Sequence, residues 1–314
     1  MRRLHLRILD RKILVKSADS SLERAVLDAA GLLASPPFED PDLTYRFRLR
    51  TPEDSLPHPS REEETGFSEH GDFQIYSEGE SGWIVVDGRS TARFDWGAGH
   101  VECLVDEEHM PDGWIVGHRL FFVPLIEWLR REGQFPLHGS AFVVHGRGVI
   151  VSGPGRSGKS TAALAAIAAG CPFLSDDTLF LERRGDRILM NPYPERVKVG
   201  RGTAVYFPEW RDRLAPGDQK LLLDESVLRQ GRSRDVEPRL LLFPEITGGR
   251  ESRLLPIPSH EAMIRLLPQS VLMADGPTLE EHVGVLAELA GQARAYLLQF
   301  GRDVRRLPER IAEL

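Results

Sequence analysis

Val149-Ile150-Val151-Ser152 runs into Gly153-Pro154-Gly155-Arg156-Ser157-Gly158-Lys159-Ser160-Thr161, followed by the helix formers Ala-Ala-Leu-Ala-Ala-Ile-Ala-Ala of 162–169 and by Gly170. The first four residues suit a strand. The alanine-rich run suits a helix over 160–169, with Gly170 as its C-terminal stop. Between them lies a complete G-x-x-x-x-G-K-[ST] pattern, so strand, loop and helix come in the order a phosphate-binding loop needs. The chemistry follows from that order. Gly153, Gly155 and Gly158 let the chain turn so that the N–H groups of Pro154's neighbours, Arg156 and Ser157 can point at one phosphate. The helix N-terminus adds partial positive charge. Lys159 reaches toward β- and γ-phosphates, the Ser160 hydroxyl is suited to Mg²⁺, and Thr161 is a second contact. A nucleoside triphosphate with Mg²⁺ is the expected ligand.

Two further signals flank the loop. Phe173-Leu174-Ser175-Asp176-Asp177 is an apolar strand ending in adjacent acids. If it runs parallel to the loop's strand, its C-terminal end lies beside the phosphates, where a metal ligand and a proton acceptor are needed. Neighbouring residues on a strand face opposite ways, so both acids serve the site only if the chain turns there. Upstream, Pro136-Leu137-His138-Gly139-Ser140 leads into 141–152, which reads as a hairpin turning at Gly146-Arg147. A two-residue turn there sets His138 opposite Gly155, as a donor to phosphate or an orienter of an aspartate. His145 falls at the turn and is expected to be exposed. Lone cations downstream, Arg196, Lys198, Lys220 and Arg239, are candidates to neutralise phosphate. Pro192-Tyr193-Pro194 is a rigid candidate substrate segment.

The remainder bounds the class. The 314 residues suggest about two domains, and a chain this long needs no disulfide or metal to hold a core. Cys103 and Cys171 lack paired spacing, which excludes a disulfide framework or a Cys-based zinc site and fits a reducing cytoplasm. No apolar run reaches the roughly 20 residues of a membrane span, and the charged MRRLHLRILDRK opening does not read as a secretory signal. Net charge is −7, of which residues 51–72, with seven acids and one base, supply nearly all. That stretch reads as a solvated mobile loop, and nothing marks a nucleic-acid face. Short strands are expected at 4–8, 12–17 and 43–50, a capped helix at 21–34 starting at Ser20 or Ser21, and an antiparallel meander from 73 to 105. A helix is expected at 118–131, with Pro124 as kink or first turn. Composition shifts near 133–136, dividing a 1–134 α+β domain from a 135–314 α/β domain. In the latter, 184–186 reads as a hairpin turn, 240–243 as a buried strand, and 260–270 and 279–300 as helices.

His138-Gly139, then GPGRSGKST (153–161), then LSDD (174–177), all within forty residues, resemble the HPr kinase/phosphorylase superfamily. Pro192-Tyr193-Pro194, LLLFPEI (240–246) and SHEAMIRLLPQS (259–270) resemble HPr-kinase-related proteins encoded beside peptide-modification genes, among them kinases of lasso precursor peptides. The resemblance implies a P-loop kinase domain of the HPr kinase type, a mixed sheet flanked by helices, behind a smaller N-terminal domain. It further implies ATP- and Mg²⁺-dependent transfer to a serine hydroxyl, with Asp176 as base, Asp177 on the metal side, and His138 and Lys159 as further catalytic groups. Thr161 stands where the bifunctional enzymes carry Glu, and their C-terminal HPr-docking loop has no counterpart here. The implied partner is therefore another protein or peptide, which the N-terminal domain would recognise by strand addition. Self-association is compatible with this reading. A small-molecule kinase and a nucleotide-binding regulatory module are the alternatives.

Overall fold

The computed structural model describes residues 1–56, 64–67, 73–78, 80–215, 218–270 and 276–314. Two compact units form, one mainly from residues 1–132 and one mainly from 133–314. Each is a mixed α/β assembly. Among the described residues no helix is long and apolar enough to cross a membrane.

The first unit holds β1 (Arg2–Ile8), β2 (Arg11–Ser17), α1 (Ser20–Ala30), β3 (Leu43–Leu49), β4 (Glu64–Phe67), β5 (Phe73–Glu78), β6 (Ser81–Val86), β7 (Ser90–Asp95), β8 (His100–Val105) and α2 (Val123–Arg131). The strands make one sheet in the order β1-β2-β3-β8-β7-β6-β5-β4. From β5 to β8 it is the expected antiparallel meander, whereas β3 runs parallel to both its neighbours. Two local expectations are corrected, and the alternatives for Pro124 are resolved. The cap of α1 is Asp19, whose Oδ1 accepts from Ser21 N at 2.6 Å, not Ser20 or Ser21. Pro124 marks the first turn of α2, and the residues before it, Ile115–Phe122, are wound as a π-helix. The acidic stretch is not loop throughout. Arg48 clamps Asp54 through two bonds of 2.7 and 2.6 Å, and β4 joins the sheet beside β5. Residues 57–63 and 68–72 of that stretch lie outside the described residues.

The second unit holds β9 (Gln134–Val144), β10 (Arg147–Ser152), α3 (Lys159–Ala168), β11 (Phe173–Ser175), β12 (Thr178–Arg184), β13 (Arg187–Pro192), β14 (Lys198–Gly200), α4 (Arg201–Ala204), α5 (Pro208–Arg211), β15 (Lys220–Leu222), β16 (Pro238–Ile246), β17 (Arg253–Ile257), α6 (Ser259–Leu266), α7 (Gly276–Gln292), β18 (Arg294–Phe300) and α8 (Leu307–Ala312). The main sheet is ordered β13-β12-β9-β10-β16-β18-β17, with β11 also paired to β9, and β14 and β15 form a separate ribbon. Among the described residues, the parallel pairs of this sheet are β10 with β16 and β16 with β18. Strand alternation sorts the core into two faces. Val149, Val151, Leu240 and Leu242 pack toward α3 and α8, while Ile150, Leu241, Phe243 and Ala295 pack toward α6 and α7. The central strands are apolar on both sides, as strands covered by helices on two faces must be. Residues 294–300, expected within a long helix, are instead β18. A short apolar run has no decisive period, and β18 finds its backbone partners on β16 and β17.

The β9–β10 hairpin turns at His145-Gly146, whose φ values of 47° and 75° give the left-handed pair a tight two-residue hairpin requires. The turn lies one residue earlier than expected, and because paired positions slip by two, His138 falls opposite Gly153, not Gly155. His145 is exposed at the tip.

Candidate active site

The site is organised by β9. Its N-terminal half pairs with β12 and its C-terminal half with β11 on one edge, while β10 takes the other edge. The acids therefore reach the loop by two antiparallel steps rather than by the simple parallel crossover expected, and end on the same side of the sheet because two reversals restore direction. Residues 138 and 140 are two apart on β9 and share a face. Ser140 Oγ donates to Asp176 Oδ1 at 2.5 Å. His138 Nδ1 lies 2.8 Å from the Asp177 carbonyl and 3.1 Å from its carboxylate. Asp177 adopts φ 99°, a departure from strand geometry that answers how adjacent acids serve one site. Ser140 was not singled out in the sequence, although the two-residue spacing from His138 was a signal for it.

The glycine-rich segment closes over the start of α3. At Gly158 φ is 117°, and a Cβ there would meet the Phe300 ring at 2.9 Å, so this position needs glycine. Lys159 is nearly buried and donates to the carbonyls of Gly153 and Pro154 at 2.7 and 3.0 Å. Burial lowers its ammonium pKa, against the pull of Asp177 and Asp176. Gly155, Arg156 and Ser160 are exposed at the mouth. The Ser157 hydroxyl is buried with no hydrogen-bond partner among the described residues, a donor of the kind a phosphate oxygen would satisfy. Thr161 is committed elsewhere, its Oγ1 standing 3.1 Å from Thr203 Oγ1 of α4. Gly170 follows α3 with φ 75°, the C-terminal stop its sequence position implied.

The two acids differ electrostatically. Burial pushes the Asp176 carboxyl up, only partly offset by hydrogen bonds from Ser140 and Ser160. Asp177 has a half-exposed side chain. Burial raises it too, but the hydrogen bond and charge of His138, with Lys198 and Lys159, outweigh that and hold it low. A third carboxylate, absent from the sequence reading, belongs to this group. Burial, with Asp177 and Asp176 nearby, raises Glu195 to about 7, although Lys198 works against it from 3.3 Å. Of the other cations singled out, Arg239 pairs with Glu237 at 3.0 Å on an exposed surface and Lys220 lies exposed on β15. Tyr193 is buried and its carbonyl accepts from Ser175 Oγ at 2.8 Å, so it is a fastening rather than a substrate surface.

Hard oxygen ligands are what Mg²⁺ takes, few of them from protein when phosphates supply the rest. The Ser160 hydroxyl and the nearby Asp176 carboxylate fit that need. No protein-family profile matches the chain, and no curated protein does. Among solved structures, the HPr(Ser) kinase/phosphatase from Coxiella burnetii overlaps 57% of this chain and 93% of its own, at 14% identity and a TM-score of 0.31. So distant an overlap leaves the chemistry to this chain's own geometry.

Proposed function

We propose that the protein transfers the γ-phosphoryl group of ATP to a serine hydroxyl of a protein or peptide. The observation that carries this is the pair of carboxylates held by Ser140 and His138 beside the Lys159–Ser160 end of a glycine-rich loop. A module that only binds nucleotide needs at most one of them. The motif order shared with HPr-kinase-like proteins supports the same reading. Loop N–H groups and the α3 N-terminus would cradle the phosphates while Lys159 exchanges its carbonyl partners for phosphate oxygens. Mg²⁺, held by Ser160 and Asp176, would supply charge neutralisation at those oxygens. Asp177, exposed toward an arriving acceptor, would take the serine proton as the Oγ–P bond forms and the bond to ADP breaks. Its low pKa is tolerable because in a loose transition state the proton leaves late. This assigns the acids in the reverse of the roles implied by resemblance, because Asp176 is the more sheltered acid, held by Ser140 close to Ser160, and Asp177 is exposed. The first unit, which contains none of the residues assigned above, would recognise the acceptor.

The test is incubation with γ-labelled ATP, Mg²⁺ and peptides encoded beside the gene. Label should pass to a serine, and Lys159→Ala and Asp177→Asn should each lower the rate by about a hundredfold or more. Asp177→Asn should leave Mg·ATP affinity within about tenfold, whereas Asp176→Asn should weaken Mg²⁺ and nucleotide binding together. Binding without transfer to any acceptor would favour the regulatory module. Full activity in Lys159→Ala would end the kinase reading.

A further inference from the structure

Resting on the phosphoryl-transfer reading above, we propose that Lys198, anchored by Glu195, is a second phosphate-binding cation of this site, meeting the transferred phosphoryl group from the side of the acids. Three fastenings put the segment that carries it against both halves of the site. Ser175 Oγ, one residue before Asp176, bonds the Tyr193 carbonyl at 2.8 Å. Arg232 donates to the Leu174 carbonyl at 2.8 Å and also to the Glu195 carbonyl, tying the strand that delivers the acids to the turn that precedes Lys198. Beyond Lys198, Thr203 meets Thr161 in the first turn of α3 at 3.1 Å. Lys198 thus lies between a tie to the acid turn and a tie to the loop helix.

Its side chain is 43% exposed, and its ammonium is 3.3 Å from Glu195 Oε2, whose own side chain is 16% exposed. One end of the pair is therefore sheltered and the other open. The positive charge of Lys198 acts on Asp176, Asp177 and Glu195 alike, opposing the upward push of burial on each. A cation so placed has little to do for Asp177, which His138 already serves. It is well placed for the extra negative charge that a third phosphate brings between the acids and the loop. Lys198 would exchange no proton and form no bond. Its charge would offset that of the equatorial oxygens as they pass from ADP to the serine. Glu195 is the positioning residue.

The test compares Mg·ATP with Mg·ADP binding by calorimetry, so that no acceptor is needed. Lys198→Ala should weaken Mg·ATP by about tenfold while Mg·ADP changes by less than about twofold, and Lys198→Arg should restore much of the difference. Glu195→Gln should narrow the ATP-over-ADP preference without weakening ADP. A merely structural role would weaken both nucleotides together. An unchanged preference in Lys198→Ala, with Lys159→Ala still impaired, overturns this inference alone. Failure of the unaltered protein to bind either nucleotide overturns the phosphoryl-transfer reading and this inference with it.

Discussion

Asp176 and Asp177 are adjacent in the chain and unlike in the structure. One is partly buried and holds the Ser140 hydroxyl, and the other is half exposed beside a histidine. Their presence was legible, because two acids at the end of an apolar strand just after a phosphate-loop pattern are informative by spacing. Their separate environments were not, since these depend on a φ of 99° at Asp177 and on which β9 side chains face them. Glu195 was illegible for a related reason: nothing local distinguishes a glutamate after Pro194 until the fold buries it. Its folded pKa of about 7 stands above the ordinary 4.5. The stability it contributes is complete below pH 4.5 and is lost as pH rises through about 7, because ionising the sheltered carboxyl then opposes folding. Glu195→Gln removes that penalty. Thermal unfolding should find the variant more stable than the parent at pH 8 by up to about 3 kcal/mol, with the gap closing toward pH 4.5. Equal gaps at both pH values would contradict a raised carboxyl.

At the scale of elements, β9 decides the site, and its sequence tells why. Eleven residues, Gln134–Val144, pair with three other strands, and the residues that hold the acids alternate along it. Gly139 lies between them. A Cβ at that position would stand 2.9 Å from the Val151 carbonyl and 3.4 Å from Leu179. Gly139→Ala must part β9 from β10, at a cost of about 1–3 kcal/mol by the usual penalty of overpacking. Chemical denaturation should show that loss, and nucleotide binding should fall further than stability alone explains, because His138 and Ser140 move with the strand. A variant as stable and as avid as the parent would mean the strands separate freely here. The β9–β10 hairpin was legible from its glycine, while its register was not. Deciding between Gly146-Arg147 and His145-Gly146 needs the positive φ at His145, which histidine rarely signals. The helix expected over 279–300 ends at Gln292, and 294–300 is strand instead, because parallel pairing with β16 is a long-range bond that local periodicity does not encode.

At the scale of the whole molecule, the candidate site lies within the unit of residues 133–314, and the unit of residues 1–132 has a separate sheet with its own helices. If the division of labour is as proposed, a protein beginning at Gly133 binds Mg·ATP with about the parent's affinity and fails to label the peptide acceptor. Retained labelling would move acceptor recognition into the second unit. By itself the sequence determined the strand–loop–helix around 153–161, since that depends on glycine conformations, an N-terminal helix charge and a local alternation of propensities. It also determined the order of the chemical groups, His138 before the loop and the acids after it. The tertiary structure alone decided that β9 lies between the acids and the loop strand, that Ser140 holds Asp176, and that Glu195 and Lys198 arrive from twenty residues downstream. The physical reason is one of range. Loop conformation and helix start are fixed by interactions within a few residues, whereas burial, charge and pairing depend on which distant strands exclude water from the same small volume.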